Sequence, residues 1–291
     1  MNAKLTIFTP TYNRAYILPS CYESLRRQTC MDFEWVIVDD GSTDDTRSLV
    51  EEWITEGCIK IKYIYQENGG KHRAHNKGIN SSEGELFLCL DSDDILVERA
   101  VEIVIEKSRY IGENVGMIAL KGFKSGPVVG TSMPKNVKNT SMFDLYHKYG
   151  FRGDSLPIFK TEILKTYLYP EIEGEKFITE AVIYNRISAL HELILVDEII
   201  YKCDYLPDGY TRNIRKIIQG NPQGYILYYK EIMLMSCGIK EQIKSIINYI
   251  ALSLHAKNNK IIEQSPRKII TAALFPLGYI YYYARYSSKF R

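Results

Sequence analysis

No C-x-x-C pair, no P-loop G-x-x-x-x-G-K-[ST] and no G-x-G-x-x-G occurs in the 291 residues. The last two absences count against NTPase and dehydrogenase chemistry. The first leaves the six cysteines (Cys21, Cys30, Cys58, Cys89, Cys203 and Cys237) without a redox or zinc motif. No hydrophobic leader follows Met1-Asn2-Ala3-Lys4, so reduced thiols in a cytoplasmic protein are expected. A strong charge of one sign is also missing. The formal net charge is +2, which gives no reason to expect a nucleic-acid partner. The most apolar stretch, Ile269–Tyr283, is interrupted by Pro276 and Gly278 and is short for a membrane span. Internal repeats and low-complexity linkers are absent as well.

What is present is an ordinary globular composition, 45% hydrophobic and 25% charged. The charge is unevenly placed. Residues 1–211 carry 24 Lys+Arg against 32 Asp+Glu, whereas residues 212–291 carry 13 against 3. An acidic body with a basic tail suggests two roles in one chain.

The body alternates strand and helix patterns. Leu5–Phe8 reads as a strand, followed by a helix with Ile17, Leu18, Cys21 and Leu25 on one face. Trp35–Val38 is a continuous apolar run, the mark of a strand buried on both faces. A helix is expected after Asp39-Asp40-Gly41, capped by Ser42 and Asp45. Further strands are expected at Ile59–Tyr65, Leu86–Leu90, Val115–Leu120 and Leu193–Val196, with a helix over Ala74–Ile79. From residue 212 strand signals fade, and Ile217–Met235, Ile243–Leu254 and Ile269–Tyr286 read as helices. The pattern predicts an α/β fold, a mostly parallel sheet flanked by helices, with ligands bound beyond the carboxyl ends of the strands.

Three strand ends carry polar clusters. Asp91-Ser92-Asp93 offers two carboxylates one residue apart, a set that suits Mg²⁺ or Mn²⁺ bridging substrate phosphates. It also reads as the cap of a helix starting near Ile95. Asp39-Asp40-Gly41-Ser42 is a turn, or a carboxylate that accepts from a base or sugar hydroxyl beside a glycine that permits close approach. Thr9-Pro10-Thr11-Tyr12-Asn13-Arg14 supplies an aromatic face and a guanidinium, suited to stacking and phosphate pairing.

Taken in order, T-P-T-Y-N-R, V-D-D-G-S-T-D-D, the Asn68-Gly69-Gly70…Ala74-x-Asn76-x-Gly78 segment and D-S-D-D resemble the family 2 glycosyltransferases of the GT-A fold. The resemblance spans residues 4–211 and is strongest over the first hundred. It implies an inverting transfer from a nucleotide-diphosphate sugar, most often UDP-linked. By motif, Asp40 would contact the base in a pocket lined by Thr9, Tyr12 and Arg14. Asp91 would sit near the ribose, and Asp93 would ligate the Mn²⁺ or Mg²⁺ that holds the phosphates. Lys71, with His72 and Arg73, would add positive charge. The family's general base lies in an acidic pair beyond D-x-D. Here the matching stretch is Gly174–Ala181, where Ala181 replaces the second acid, so Glu180 is the expected base, with Glu175 and Asp154 as alternatives. Glu180 reads equally as a carboxylate placed at a helix start. Arg212 or Arg215, in or beside the Tyr205–Asn213 segment, would reach the diphosphate.

The expected organisation is a GT-A domain over 1–211, with a nucleotide-sugar half (1–100) and an acceptor half (101–211), then a basic helical region over 212–291. The acceptor is expected to be a glycan or lipid-linked glycan. Arg267, Lys268, Arg285, Lys289 and Arg291 flank the apolar tail, which points to peripheral attachment at an anionic inner membrane face. Two rival readings are a sugar nucleotidyltransferase, which would want a glycine-rich loop where Thr9–Arg14 has no glycine, and a GT-A scaffold without turnover, left open by Ala181.

Overall fold

The computed structural model describes residues 3–205, 209–235 and 238–286. Contacts divide the chain into two units: one runs to Tyr169 and adds Leu190–Asp204, and the other joins Pro170–Ala189 to the chain from Tyr205 onward. This line differs from a boundary at 211, because residues 170–189 group with the helical tail.

In the first unit β1 (Leu5–Thr11), α1 (Leu18–Arg26), β2 (Phe33–Asp39), α2 (Thr46–Glu56), β3 (Ile61–Tyr65), α3 (Lys71–Ser81) and β4 (Leu86–Cys89) alternate. There follow β5 (Ile95–Leu96), α4 (Ala100–Ser108), β6 (Gly116–Phe123), β7 (Asn139–Thr140), α5 (Met142–His147), β8 (Ser155–Lys160) and α6 (Thr161–Thr166). After α7 (Ala181–Ser188), which belongs to the second unit, β9 (Leu193–Cys203) returns to the sheet. The strand order is β3-β2-β1-β4-β8-β6-β9-β5, with β7 on β9. The first four strands are parallel, whereas β8 runs antiparallel to both β4 and β6. The sheet is therefore parallel in its first half and mixed in its second.

Helices cover both faces of the parallel half. On one, Tyr22 of α1 and Trp53 of α2 stack 4.2 Å apart over fully buried Trp35 of β2. On the other, α3 lies against β1 where Gly78 meets the Phe8 ring so closely that a Cβ would clash. All seven residues of β2 are buried, which explains its unbroken apolar run.

Several local expectations are corrected. β1 runs on through Thr11 rather than stopping at Phe8. α2 begins at Thr46 with Asp45 as its N-cap residue but no capping side-chain bond from it; Asp44 Oδ1 just before accepts from Thr46 N–H at 3.1 Å, whereas Ser42 Oγ accepts from Asn13 N–H at 2.8 Å. Ile95–Leu96 is a short strand, not a helix start. β8, with Pro157 inside it, carries no strand signal in sequence because proline seldom occupies an interior strand.

The second unit is helical: α7, α8 (Tyr210–Gly220), α9 (Pro222–Leu234), α10 (Ile239–His255) and α11 (Lys268–Tyr286). The periodic stretch 217–235 is two helices, broken at Asn221 because Pro222 disfavours helical backbone before it. Tyr225, Ile226, Met233, Ile246, Tyr249 and Ile250 form its core. Arg186 of α7 binds Glu231 of α9 through Nε at 3.0 Å and Nη2 at 2.7 Å. Such ties explain why 170–189 belongs with the tail. Leu206, Pro207, Asp208, Cys237, Lys289 and Arg291 lie outside the described residues. Among the described residues, no helix is long and apolar enough to cross a membrane.

Candidate active site

The parallel strands β1, β2, β3 and β4 end side by side, and their following loops carry Tyr12–Arg14, Asp40, Gln66–Gly70 and Asp91–Asp94. Asn13, at φ 52°, stitches the first two together: its N–H donates to Ser42 Oγ and its Oδ1 accepts from Thr43 N–H at 2.8 Å. Gly41, at φ +88°, lies where a Cβ would come 2.8 Å from Asn68 N, so only glycine fits between these loops.

Asp40 is buried in this junction. Its Oδ1 accepts from Gln66 Nε2 at 2.7 Å and Gly69 N–H at 2.8 Å. Its Oδ2 accepts from Gly70 N–H at 2.8 Å and Asn68 Nδ2 at 3.3 Å. All four acceptor positions are occupied. In this structure Asp40 holds the loop that launches α3. Thr9 departs from the expected pocket lining. Because β1 continues past it, Thr9 faces the core with no exposure, and its hydroxyl accepts from Trp35 Nε1 at 2.9 Å. Tyr12 is 48% exposed and presents an open ring. Arg14 is half-buried, and its Nη1 donates to Tyr16 OH at 2.5 Å.

The acidic cluster follows β4. Lys71, the first residue of α3, reaches Asp91 Oδ1 at 2.7 Å. Burial pushes the Asp91 carboxyl up, but Lys71, then Lys121, more than reverses this and holds it at about 2. Asp93 moves the other way: burial, then the Asp91 charge, raises it against the weaker pull of Arg14 and Lys71. Buried Asp94 is lifted to about 7 by burial and next by Asp91. One Asp94 oxygen accepts from Tyr201 OH at 2.7 Å; the other is buried without a hydrogen bond. Tyr201 OH also accepts from Asp91 N–H at 3.1 Å, and Lys121 Nζ lies 4.1 Å from the Tyr201 ring centre.

Lys121 and Tyr201 are the site residues that sequence reasoning missed. They are register partners on β6 and β9, eighty residues apart, next to two register shifts that re-aim both side chains. Neither sits in a motif, so no local signal marks them. The asparagine and glycine of the A-x-N-x-G segment turn out to be scaffolding. Asn76 holds Tyr169 by paired bonds of 2.9 and 2.8 Å, and Gly78 packs on Phe8.

In the second unit, Glu180 is half-buried at the N-cap of α7, with Tyr184 OH 3.4 Å from its Oε2. Glu175 is buried; its oxygens accept from Gln223 N–H at 2.5 Å and Gly224 N–H at 2.7 Å, capping α9. Both of its oxygens are thus engaged in the cap. Asp154 is exposed on the loop before β8 in the first unit, and Arg212 and Arg215 are exposed on α8.

The profile of Glycosyl transferase family 2 matches residues 6–168. Glycosyltransferase GlyG of Streptococcus pneumoniae is 32% identical over 217 residues, 69% of this chain and 70% of its own length. The GalNAc(5)-diNAcBac-PP-undecaprenol beta-1,3-glucosyltransferase of Campylobacter jejuni is 28% identical over 225 residues, 75% of this chain and 71% of its own. Among solved structures, S. aureus TarS 1–349 in complex with UDP-GlcNAc shares the fold, with TM-score 0.62 and 19% identity over 94% of this chain and 81% of that one. With ordered strand-end motifs, a GT-A sheet and a family match over more than half its length, the chain belongs to glycosyl transferase family 2 and is a glycosyltransferase.

Proposed function

We propose that this glycosyltransferase moves a sugar from a UDP-sugar to a hydroxyl of a glycan or lipid-linked glycan, with inversion in one displacement. The observation that carries the reading is the strand-end cluster in which Lys71 and Lys121 keep Asp91 ionised beside Asp93. The UDP-GlcNAc bound to the TarS neighbour supports a UDP donor, and the lipid-linked substrate in the Campylobacter relative's name supports such an acceptor. We place the enzyme in the cytoplasm, at the inner face of the membrane.

Tyr12 offers its exposed ring to the base. Asp40 acts through the Gln66–Gly70 loop that it fixes. Asp91 lies toward the ribose, and Lys71, Arg14 and Lys121 oppose the charge that builds on the leaving diphosphate. The residues present fit a divalent cation carried in with the donor. Among the described residues no three Asp, Glu, His or Cys groups converge on one point, so a site made wholly of protein is not on offer. Yet Asp93 stands beside an ionised carboxylate that makes it harder to ionise, a repulsion that a cation would relieve. A hard ion that takes one or two carboxylates and completes its shell with phosphate oxygens and water matches this set. Asp93, with Asp91 beside it, would hold Mn²⁺ or Mg²⁺, which supplies Lewis-acid stabilisation of the diphosphate when bound.

Glu180 is assigned to take the proton from the acceptor hydroxyl, since Glu175 is committed to capping α9. The test is transfer and donor hydrolysis with a panel of UDP-sugars and Mn²⁺. Glu180→Gln is expected to lose transfer by about two to four orders of magnitude while still binding donor. Near-normal turnover in that variant would take the role from Glu180, and Asp154→Asn would then be the next variant to assay. No UDP release from any sugar donor would overturn the reaction itself.

A further inference from the structure

We propose that α11 lies flat on an anionic lipid surface and is the element through which the helical unit meets the membrane. This rests on placing the enzyme at a membrane, not on any catalytic assignment. The helix has 19 residues, so it is about 28 Å long. One side is fixed to its own unit: Gly278 abuts Ile250 of α10, with an added Cβ only 2.6 Å from the Ile250 Cβ, and Thr271 shares a 2.6 Å hydrogen bond with Ser265. Leu274, Phe275 and Tyr286 turn to the same core.

Among the described residues, none covers the other side. Ile269, Ala273, Pro276, Leu277, Ile280 and Ala284 follow one another at helical spacing and are all exposed, Ile269 at 87%, Leu277 at 52% and Ile280 at 64%. This stripe has no polar side chain in it. Basic residues stand at its two ends, Lys268 at the start and Arg285 in the last turn, and residues 212–291 hold 13 Lys+Arg against 3 Asp+Glu. An apolar stripe with a basic surround complements acyl chains beneath anionic headgroups.

Two observations favour lipid over a second copy of the chain. Two such units brought face to face would each carry a surplus of seven positive charges, 15 Lys+Arg against 8 Asp+Glu, which repels. Pro276, on the exposed side, also has no N–H to offer the Ala272 carbonyl. A dry protein interface would leave that carbonyl unsatisfied, whereas the headgroup layer supplies water. The same break argues for shallow placement in the interface rather than deep insertion.

The experiment is co-sedimentation of the full chain with phosphatidylglycerol-containing vesicles and with pure phosphatidylcholine vesicles, for wild type and for Leu277→Asp/Ile280→Asp. Wild type is expected to pellet with the anionic vesicles and only weakly with the neutral ones. The double variant should lose about tenfold or more of its partitioning, because two apolar side chains leave the interface. Its thermal midpoint and its release of UDP from a soluble donor should be unchanged. Ile280→Trp gives a second readout, a blue shift in emission when anionic vesicles are added. Equal pelleting by the double variant, or no pelleting by wild type, would overturn the proposal. A wild-type dimer that the double variant dissolves, with no vesicle binding, would give the face to a second copy instead. Because UDP release is read in solution, failure of the membrane contact and failure of the transferase reading are separable.

Discussion

The amino end of the parallel strands and the carboxyl end of β4 treat buried carboxylates in opposite ways. At the amino end, Glu34 of β2 is almost fully buried and well supplied with partners. Its Oε1 accepts from Thr6 Oγ1 and Glu83 N–H at 2.7 Å and from Gly84 N–H at 3.2 Å, and its Oε2 lies 3.4 Å from Lys60 Nζ. At the carboxyl end, Asp91, Asp93 and Asp94 crowd together. Asp93 and Asp94 are raised by burial and by the neighbouring charge, and an Asp94 oxygen is buried without a hydrogen bond. One end closes the β1–β2–β4 junction with three hydrogen bonds to Glu34 Oε1 and an ion pair from Lys60 to Oε2. The other stores electrostatic repulsion that a cationic ligand would relieve, as expected where local stability has been given up for chemistry.

That contrast can be broken by exchange of effects. Asp93→Ala should lower transfer by about three orders of magnitude while leaving the thermal midpoint of the free protein unchanged or higher. A variant that unfolds readily and still transfers sugar would reverse the comparison. Glu34→Ala should do the opposite, costing on the order of 3 kcal/mol in urea unfolding because several buried donors lose their acceptor. Its turnover should stay within about twofold of wild type wherever the protein remains folded; a loss as large as that of Asp93→Ala would put the amino end in the active site.

Tyr201→Phe sharpens the account of the carboxyl end. It removes the hydroxyl that joins Asp94 to the Asp91 N–H and should cost about 1 kcal/mol of stability. Transfer should fall by about tenfold through displaced Asp91, read as a weaker donor affinity more than a slower chemical step. A variant with wild-type donor affinity would leave Tyr201 with a packing role only.

The last effect is in pH. Asp94 is raised from 3.8 to about 7 in the fold, so the native state keeps its proton after the unfolded chain has lost it. Between those values the unfolded state binds fewer protons, and stability falls as pH rises toward 7. Measured in chelator, this decline should flatten in Asp94→Asn. An unchanged slope in that variant would show that another group titrates.

How much of this was legible in sequence depended on whether a signal was local. The Trp35–Val38 run, Gly41 between two turns and the Asp91-x-Asp93 pair announce themselves because strand burial, positive φ and paired carboxylates each leave a mark within a few residues. Thr9 misled, and the bonding of Asp40 stayed hidden, for the same reason that made them visible. Their motif positions were plain, but the hydroxyl's turn toward Trp35 and the capture of Asp40 by Gln66–Gly70 depend on strand length and on a loop almost thirty residues away. Lys121, Tyr201 and the capping of α9 by Glu175 arise from pairings across the fold, with no spacing to betray them.

The central claim is that the carboxyl end is a cation-dependent nucleotide-diphosphate site. A thermal-shift panel of UDP, GDP, CDP and ADP, each with and without Mn²⁺, tests it most directly, run on wild type and Asp93→Ala. Binding stabilises the folded state as RT ln(1 + [L]/Kd), so the preferred base stands out from the other three. The account predicts a shift with UDP that needs Mn²⁺ and disappears in Asp93→Ala. A shift that ignores the metal, survives that substitution or is equal for all four nucleotides would contradict it.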